Sequence, residues 1–295
     1  MFKMKRIIFL SALVAMTCLA FQKNENNNSL NTEVTLTKLW ETDTVLKTSE
    51  AVRYNPENNL IYVSNIGGTP PDRRDGDGYI SILSIDGKIV EKNWVTGIDA
   101  PKGQNYYKGK LYVDDIDKVL EIDLETGNII KKHDIEGAVF LNDLDVDTNG
   151  DLYMTDSQDE KIYKLVNGKS SLWLDVNGFY HNGILVEKDR VLILSSSKGE
   201  LIAIDKRSKE KTVLATGVRG GDGIVSMDKG YILSSFQGQV FFAEKSKIGA
   251  EATKILDTRE EKMNSADVSY MPEKDILIVP TFYGNTVAAY KLNYK

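Results

Sequence analysis

One short pattern recurs six times along the chain and limits its fold more than any other feature. An apolar, β-rich run ends in a small or polar pair: Ile61-Tyr62-Val63-Ser64-Asn65, Leu111-Tyr112-Val113-Asp114-Asp115 and Leu152-Tyr153-Met154-Thr155-Asp156. It returns as Leu192-Ile193-Leu194-Ser195-Ser196, Tyr231-Ile232-Leu233-Ser234-Ser235 and Leu277-Ile278-Val279-Pro280-Thr281, the starts lying 50, 41, 40, 39 and 46 residues apart. A period near 40 to 45 residues with little helical periodicity marks four-stranded propeller blades. Turn formers such as Lys108-Gly109, Asn149-Gly150 and Asp228-Lys229-Gly230 precede the runs, and second apolar runs such as Val119–Leu124 and Leu201–Asp205 follow. The expected fold is therefore all-β, a six-bladed β-propeller of four-stranded antiparallel blades over residues 33–295. The last blade lacks an outer strand after Val287–Leu292, and the segment Thr35–Glu41 around Trp40 is expected to supply it. Closing the ring between the two ends of the repeat removes the open sheet edges that invite aggregation.

The first 32 residues do not share the repeat. Lys3, Lys5 and Arg6 precede an apolar run from Ile7 to Ala20, too short for a permanent membrane span. Residues 1–20 read as a signal peptide and the chain as exported, to the periplasm or outside the cell. Two kinds of processing stay open. Cleavage before Phe21 would release a soluble protein, whereas Leu13–Cys18 as a lipobox would anchor it through a lipid on Cys18. The polar, Asn-rich residues 21–32 would serve either as a flexible tether. Cys18 is the only cysteine, so the propeller carries no disulfide and no cysteine–metal site. The chain holds 37 basic against 43 acidic residues, and three of the basic ones belong to the signal. An acidic surface without a basic run argues against nucleic acid or an anionic membrane surface as partners. A small-molecule substrate is the partner expected instead.

Nine to eleven residues upstream of each run, on the strand that would line the central channel, stand Glu50, Lys102, Asn142, Asn182, Asp222 and Asp267. Equivalence in the repeat implies equivalence in space, so these side chains are expected to form one ring. Such an oxygen-rich set suits calcium or another hard divalent cation, which takes six to eight oxygen ligands. With no His or Cys in the ring, zinc and copper are disfavoured. The bland alternative is a set of solvated pore residues and turn formers, because Asn-Gly and Asp-Gly are common turn dipeptides. Lys102 and Arg219 are candidates for contact with an anionic substrate group, and His181, beside Asn182, for a proton shuttle. His133 reads as an outer-strand bystander. The long segment Ile66 to Gly78, carrying Arg73 and Arg74, is expected to cover the channel mouth. The chain has no nucleophile elbow, P-loop or dinucleotide fingerprint.

The segment Ser49–Pro56 running into Leu60–Asn65, followed by Leu141-Asn142-Asp143, Asn182-Gly183 and Asp222-Gly223, resembles the regucalcin/gluconolactonase (senescence-marker-protein-like) family of six-bladed propellers. The resemblance implies Glu50, Asn182 and Asp222 as metal ligands, Asn142 as a further ligand or a substrate contact, and Asp222 as general base. The sequence departs from the lactonase pattern at Phe140, where that family tends to have arginine, and in the extra charges Lys102 and Asp267. Two functions follow as expectations. One is an exported calcium-dependent hydrolase of a lactone or related ester, sugar-derived ones included. The other is a non-enzymatic, metal-stabilised propeller that grips a glycan or a protein.

Overall fold

The computed structural model describes residues 33–294, so the signal and tether readings lie outside the described residues. Among these residues the chain is all-β apart from one 3-10 turn at Pro272–Lys274, and its strands form six antiparallel blades. Each blade runs outward from an inner strand, as in Ser49–Asn55, Leu60–Asn65, Gly78–Ser84 and Ile89–Ile98 for blade one. The inner strands of the following blades are Pro101–Tyr107, Leu141–Val146, His181–Val186, Gly221–Ser226 and Ser269–Met271. Blade four carries one addition: the short strand Ala250–Glu251 pairs in parallel with its outer strand Lys211–Thr216.

Ring closure follows the expected course. The strand Val34–Glu41 pairs antiparallel with Val287–Tyr294, as the outer strand of the blade that also contains Ile276–Pro280. The six apolar runs are the second strands, and their unbroken hydrophobicity has a simple cause. Both faces of each blade are buried, one against the preceding blade and one against the next. Ile61 and Val63 pack in one cluster with Met271 and Ile278 of blade six, while Tyr62 packs on the other face with Leu111 and Val113 of blade two. Six such clusters hold the core, one between each pair of neighbouring blades.

The fourth run is out of phase with its sequence alignment by one residue. Val191 and Ile193 face blade three, as Ile61 and Val63 face blade six, and His181 pairs with Ser195. The continuous apolar stretch Val191–Leu194 gives no polar position from which to count the phase.

Hydrogen bonds between blades supplement the apolar clusters. Thr155 Oγ1 donates to the Asn182 carbonyl at 2.7 Å, and Ser234 Oγ donates to the Ala266 carbonyl at 2.7 Å. Asp143 and Asp145 accept from the backbone N–H groups of Ile184 and Val186 at 2.8 and 2.6 Å. Arg53 Nε donates to the Gln104 carbonyl at 2.8 Å.

Candidate functional site at the channel mouth

Five inner strands begin with the same irregularity. The pairing with the second strand shifts across Ser49/Ala51, Pro101/Gln104, Leu141/Asp143, His181/Ile184 and Gly221/Ile224. Glu50, Lys102, Asn142, Asn182 and Asp222 each lie within such a bulge, at one level of the channel. Bulges re-aim side chains and are frequent beside functional sites. Asn182-Gly183 and Asp222-Gly223 are thus strand residues rather than turn formers, and their glycines serve close packing. A Cβ on Gly183 would collide with the Asp222 carbonyl, and one on Gly223 with Asp267.

Blade six departs from the expected ring. Ser234 Oγ meets the Ala266 carbonyl just as Thr155 Oγ1 meets that of Asn182, so Ala266 holds the ring position. Asp267 stands one residue deeper, bridged to Ala51, with its N–H donating to the Glu50 carbonyl at 3.0 Å. This second level is otherwise Ala51, Gly103, Gly183 and Gly223, with Asp143 from blade three as the other charge. Counting along the sequence missed the slip because blade six has no paired bulge to set the phase.

The carboxylates of the ring and of the level beneath it are deeply buried. Glu50, Asp222 and Asp267 are each at most 5% exposed, and among the described residues Glu50 Oε2, Asp222 Oδ1 and Asp267 Oδ2 have no hydrogen-bond partner. Burial, reinforced by Asp222 and Asp267, pushes the Glu50 carboxyl well above its usual range. Burial and Asp143 do the same for Asp222. Burial raises Asp267 to about 7, with Asp222 and Asp145 adding to the rise and Arg53 opposing it. Asp143 also titrates high through burial and Asp267, although its two oxygens accept the N–H groups of Leu144 and Ile184. Asp114, below the ring on blade two, has both oxygens unpartnered and is pushed up by burial. Nothing in the run Leu111–Asp115 signalled that burial, because its neighbour Asp115 is satisfied by the N–H groups of Asp99 and Ala100.

Lys102 is 1% exposed. Its ammonium donates to the Ala100 carbonyl at 3.1 Å and lies over the Phe140 ring, 4.4 Å from the centroid. Two of the three departures from the lactonase pattern, Phe140 and Lys102, therefore touch. The amides are placed differently. Asn142 Nδ2 donates to Ser157 Oγ at 3.1 Å, and Asn182 is the one charged or amide ring member that is only half-buried.

The remaining candidates do not join the ring. His181 is fully buried, with Nε2 3.1 Å from the Lys161 carbonyl of blade three, and burial lowers its pKa. Arg219 is exposed at the ring end of blade five. His133 lies on an outer strand, 2.8 Å from Glu121. The segment after Asn65 does lie at the ring end, with Asp72 among the charges felt by Lys102. Arg74 in it is engaged with Asp117 through two bonds of 3.0 and 2.8 Å, and Arg73 with the Thr69 carbonyl at 2.9 Å.

An apolar cluster also sits at this end. Ile66, Ala100, Ile116, Ala266 and Phe282, with Phe236 against them, join loops of blades one, two, five and six. Ile116 and Phe282 have left-handed backbones, φ 63° and 47°, a strained choice for bulky residues. The sequence reading did not identify this cap. A cavity of about 580 Å³ lies at the opposite end between blades five and six, lined by Met227, Phe242, Tyr270 and Tyr294 among others and by no ring residue.

The donor chemistry suits a hard cation, since the buried oxygens Glu50 Oε2, Asp222 Oδ1 and Asp267 Oδ2 at the channel mouth lack partners among the described residues. Among the described residues, however, no three His, Cys, Asp or Glu side chains converge closely enough to hold a metal ion alone. Any such site must therefore draw on amides as well.

No family model and no curated protein matches the sequence. Solved structures do match the fold. A catalytically inactive His→Ala variant of virginiamycin B lyase from Staphylococcus aureus, with quinupristin, is 10% identical; the match covers 88% of this chain and 99% of that one at a TM-score of 0.60. A streptogramin B lyase is 11% identical, covering 90% and 99% at 0.62. A selenomethionine-substituted virginiamycin B lyase from S. aureus is 12% identical, covering 88% and 99% at 0.58. At such identities the likeness extends to the propeller fold and leaves the regucalcin/gluconolactonase resemblance without confirmation.

Proposed function

We propose that the protein is a metal-dependent hydrolase of a lactone or related ester, working at the channel mouth with calcium or another hard divalent ion. The observation that carries this reading is the pair of buried, unpartnered carboxylate oxygens, Glu50 Oε2 and Asp222 Oδ1, at the same channel level as two amides. Glu50, Asn182 and Asp222 would hold the ion, with Asn142 beside them. Lewis-acid polarisation of a carbonyl is the chemistry such an ion supplies.

The side chains supply the rest. Asn142 spends its N–H on Ser157, which leaves its oxygen for the ring or for a water. Asp222, as general base, would take a proton from the attacking water as its oxygen adds to the acyl carbon, and would return that proton to the alkoxide as the acyl–oxygen bond breaks, so that the leaving group departs as an alcohol. Approach is from blades three and four, where Asn182 is half-buried, because the apolar cap closes the other side.

The matched lyases suggest a different reaction, and the named variant is inactivated by loss of a histidine. This chain has two histidines, one on an outer strand and one buried against Lys161, so a histidine-based lyase reading finds no support at the channel. The binding-module reading has one observation in its favour, the near-complete burial of the charged ring members.

The test is hydrolysis of a panel of lactones and aryl esters by the purified protein, before and after chelation. Turnover lost on chelation and restored by calcium is expected. Undiminished turnover after chelation would remove the metal from the reaction. Absence of turnover together with calcium-dependent stability would favour the binding module.

A further inference from the structure

Lys102 is the one ring member of opposite sign, and its surroundings are unusual. The ammonium is buried and feels the charges of Glu50, Asp115, Asp114 and Asp72, yet no carboxylate oxygen of the described residues lies within ion-pair distance of it. One carbonyl and one aromatic face hold it, the Ala100 oxygen at 3.1 Å and the Phe140 ring at 4.4 Å. These contacts fix the ammonium in position without a carboxylate partner; burial lowers its pKa, and the charges of Glu50, Asp115, Asp114 and Asp72 oppose that fall. A lysine normally loses such a place to water or to a direct acidic partner, because a buried charge without compensation is costly.

Glu50, one blade away, is influenced by Lys102 and by Asp222 and Asp267 at once. The positive charge of Lys102 and a divalent ion would therefore be stabilised by the same carboxylate. Two cations drawn to one carboxylate in a poorly solvated channel repel each other across it, and such repulsion is worth several-fold to many-fold in affinity.

We infer that Lys102 is a tethered counter-cation that competes with the divalent ion for Glu50 and so sets how tightly the ring holds that ion. This rests on the reading of the ring as a cation site. Its consequence runs against intuition for a residue at a binding site: removing Lys102 should improve binding. The Phe140 face explains how an ammonium can stay in the ring without pairing, since cation–π contact stabilises it while leaving its charge in place.

The experiment is calcium titration by calorimetry on the wild-type protein, Lys102→Met and Lys102→Arg, with no substrate present. Lys102→Met should bind calcium about tenfold or more tightly, and Lys102→Arg should stay within about threefold of wild type. Unchanged or weaker binding by Lys102→Met overturns the inference. If the wild type binds no calcium, the proposed function fails by itself. The inference then stands if Lys102→Met gains a calcium site and falls if it does not. Should Lys102→Met unfold in chelator, refolding on addition of calcium supports the exchange of one cation for the other. Failure to fold with calcium present overturns it.

Discussion

Around the channel mouth, blades five, six, one and two present Asp222, Ala266, Glu50 and Lys102 beneath an apolar cap, whereas blades three and four present Asn142, bonded to Ser157, and the half-buried Asn182. The capped arc holds every formal charge of the ring and nearly excludes water. The other arc is neutral and holds the most exposed amide. Charges normally sit where water is available, and here the arrangement is reversed. Such inversions cost stability and are found where ligands or chemistry need them. The capped arc is thus suited to holding a cation, and the open arc to admitting and orienting what the cation acts on.

The largest test of this division is Asp222→Asn, which keeps the side-chain shape and removes its charge. The stabilisation by calcium should vanish, a loss of about 2.7 kcal/mol at a calcium concentration 100 times Kd. In chelator the same variant should melt no lower than wild type, because a buried unpartnered charge has been removed. A calcium-induced thermal shift of wild-type size would place the ion elsewhere.

The second test is pH, in chelator. Asp267 titrates near 7 in the folded protein against 3.8 for the ordinary carboxyl, and Glu50, Asp222 and Asp143 are also raised. The folded state holds its protons more tightly than the unfolded state. These groups therefore contribute most below about pH 4, and that contribution falls as pH rises towards 7. Melting temperatures in chelator should drop over this window, and calcium should flatten the slope. Equal slopes with and without calcium would separate the acids from the ion.

The smallest expected structural effect belongs to the open arc. Asn142→Ala should shift stability by about 1 kcal/mol, roughly one neutral hydrogen bond, while lowering kcat about tenfold or more by freeing an oriented water or substrate oxygen. Loss of calcium affinity as large as that in Asp222→Asn would erase the distinction between the arcs.

Much of the architecture was legible because each blade needs the same things. Both faces of the second strand are covered, so the apolar runs repeat, and Thr35–Glu41 is required because Val287–Leu292 would otherwise be an edge. Phase was harder to read. Val191–Leu194 is apolar throughout, so only the packing of Val191 and Ile193 on blade three reveals that the fourth run is slipped by one. Asp267 looked like a ring member because counting cannot show whether an inner strand carries a bulge. His181 neighbours a ring residue in sequence, but alternation along the strand turns its ring towards Lys161. The contact between Lys102 and Phe140 joins residues of different blades and has no local signal. Asp143 had one: it follows Asn142 where Gly103, Gly183 and Gly223 follow Lys102, Asn182 and Asp222, although its bond to Ile184 depends on the next blade.

The pairing of Val34–Glu41 with Val287–Tyr294 also orders events in time. The first strand of the propeller to be synthesised waits for the last, while the five blades between them can assemble from neighbours in sequence. Contacts across such a separation carry the largest loop-closure cost and form late. Until they form, Ile276–Pro280 has its inner partner Ser269–Met271 while the blade's outer edge is unmade, and the face that Ile276 and Ile278 share with Val52 and Ile61 is not sealed. Completion of the channel, and with it the assembly of Glu50 beside Asp267, is therefore expected last in folding, so that a partly made chain would have blades but no site.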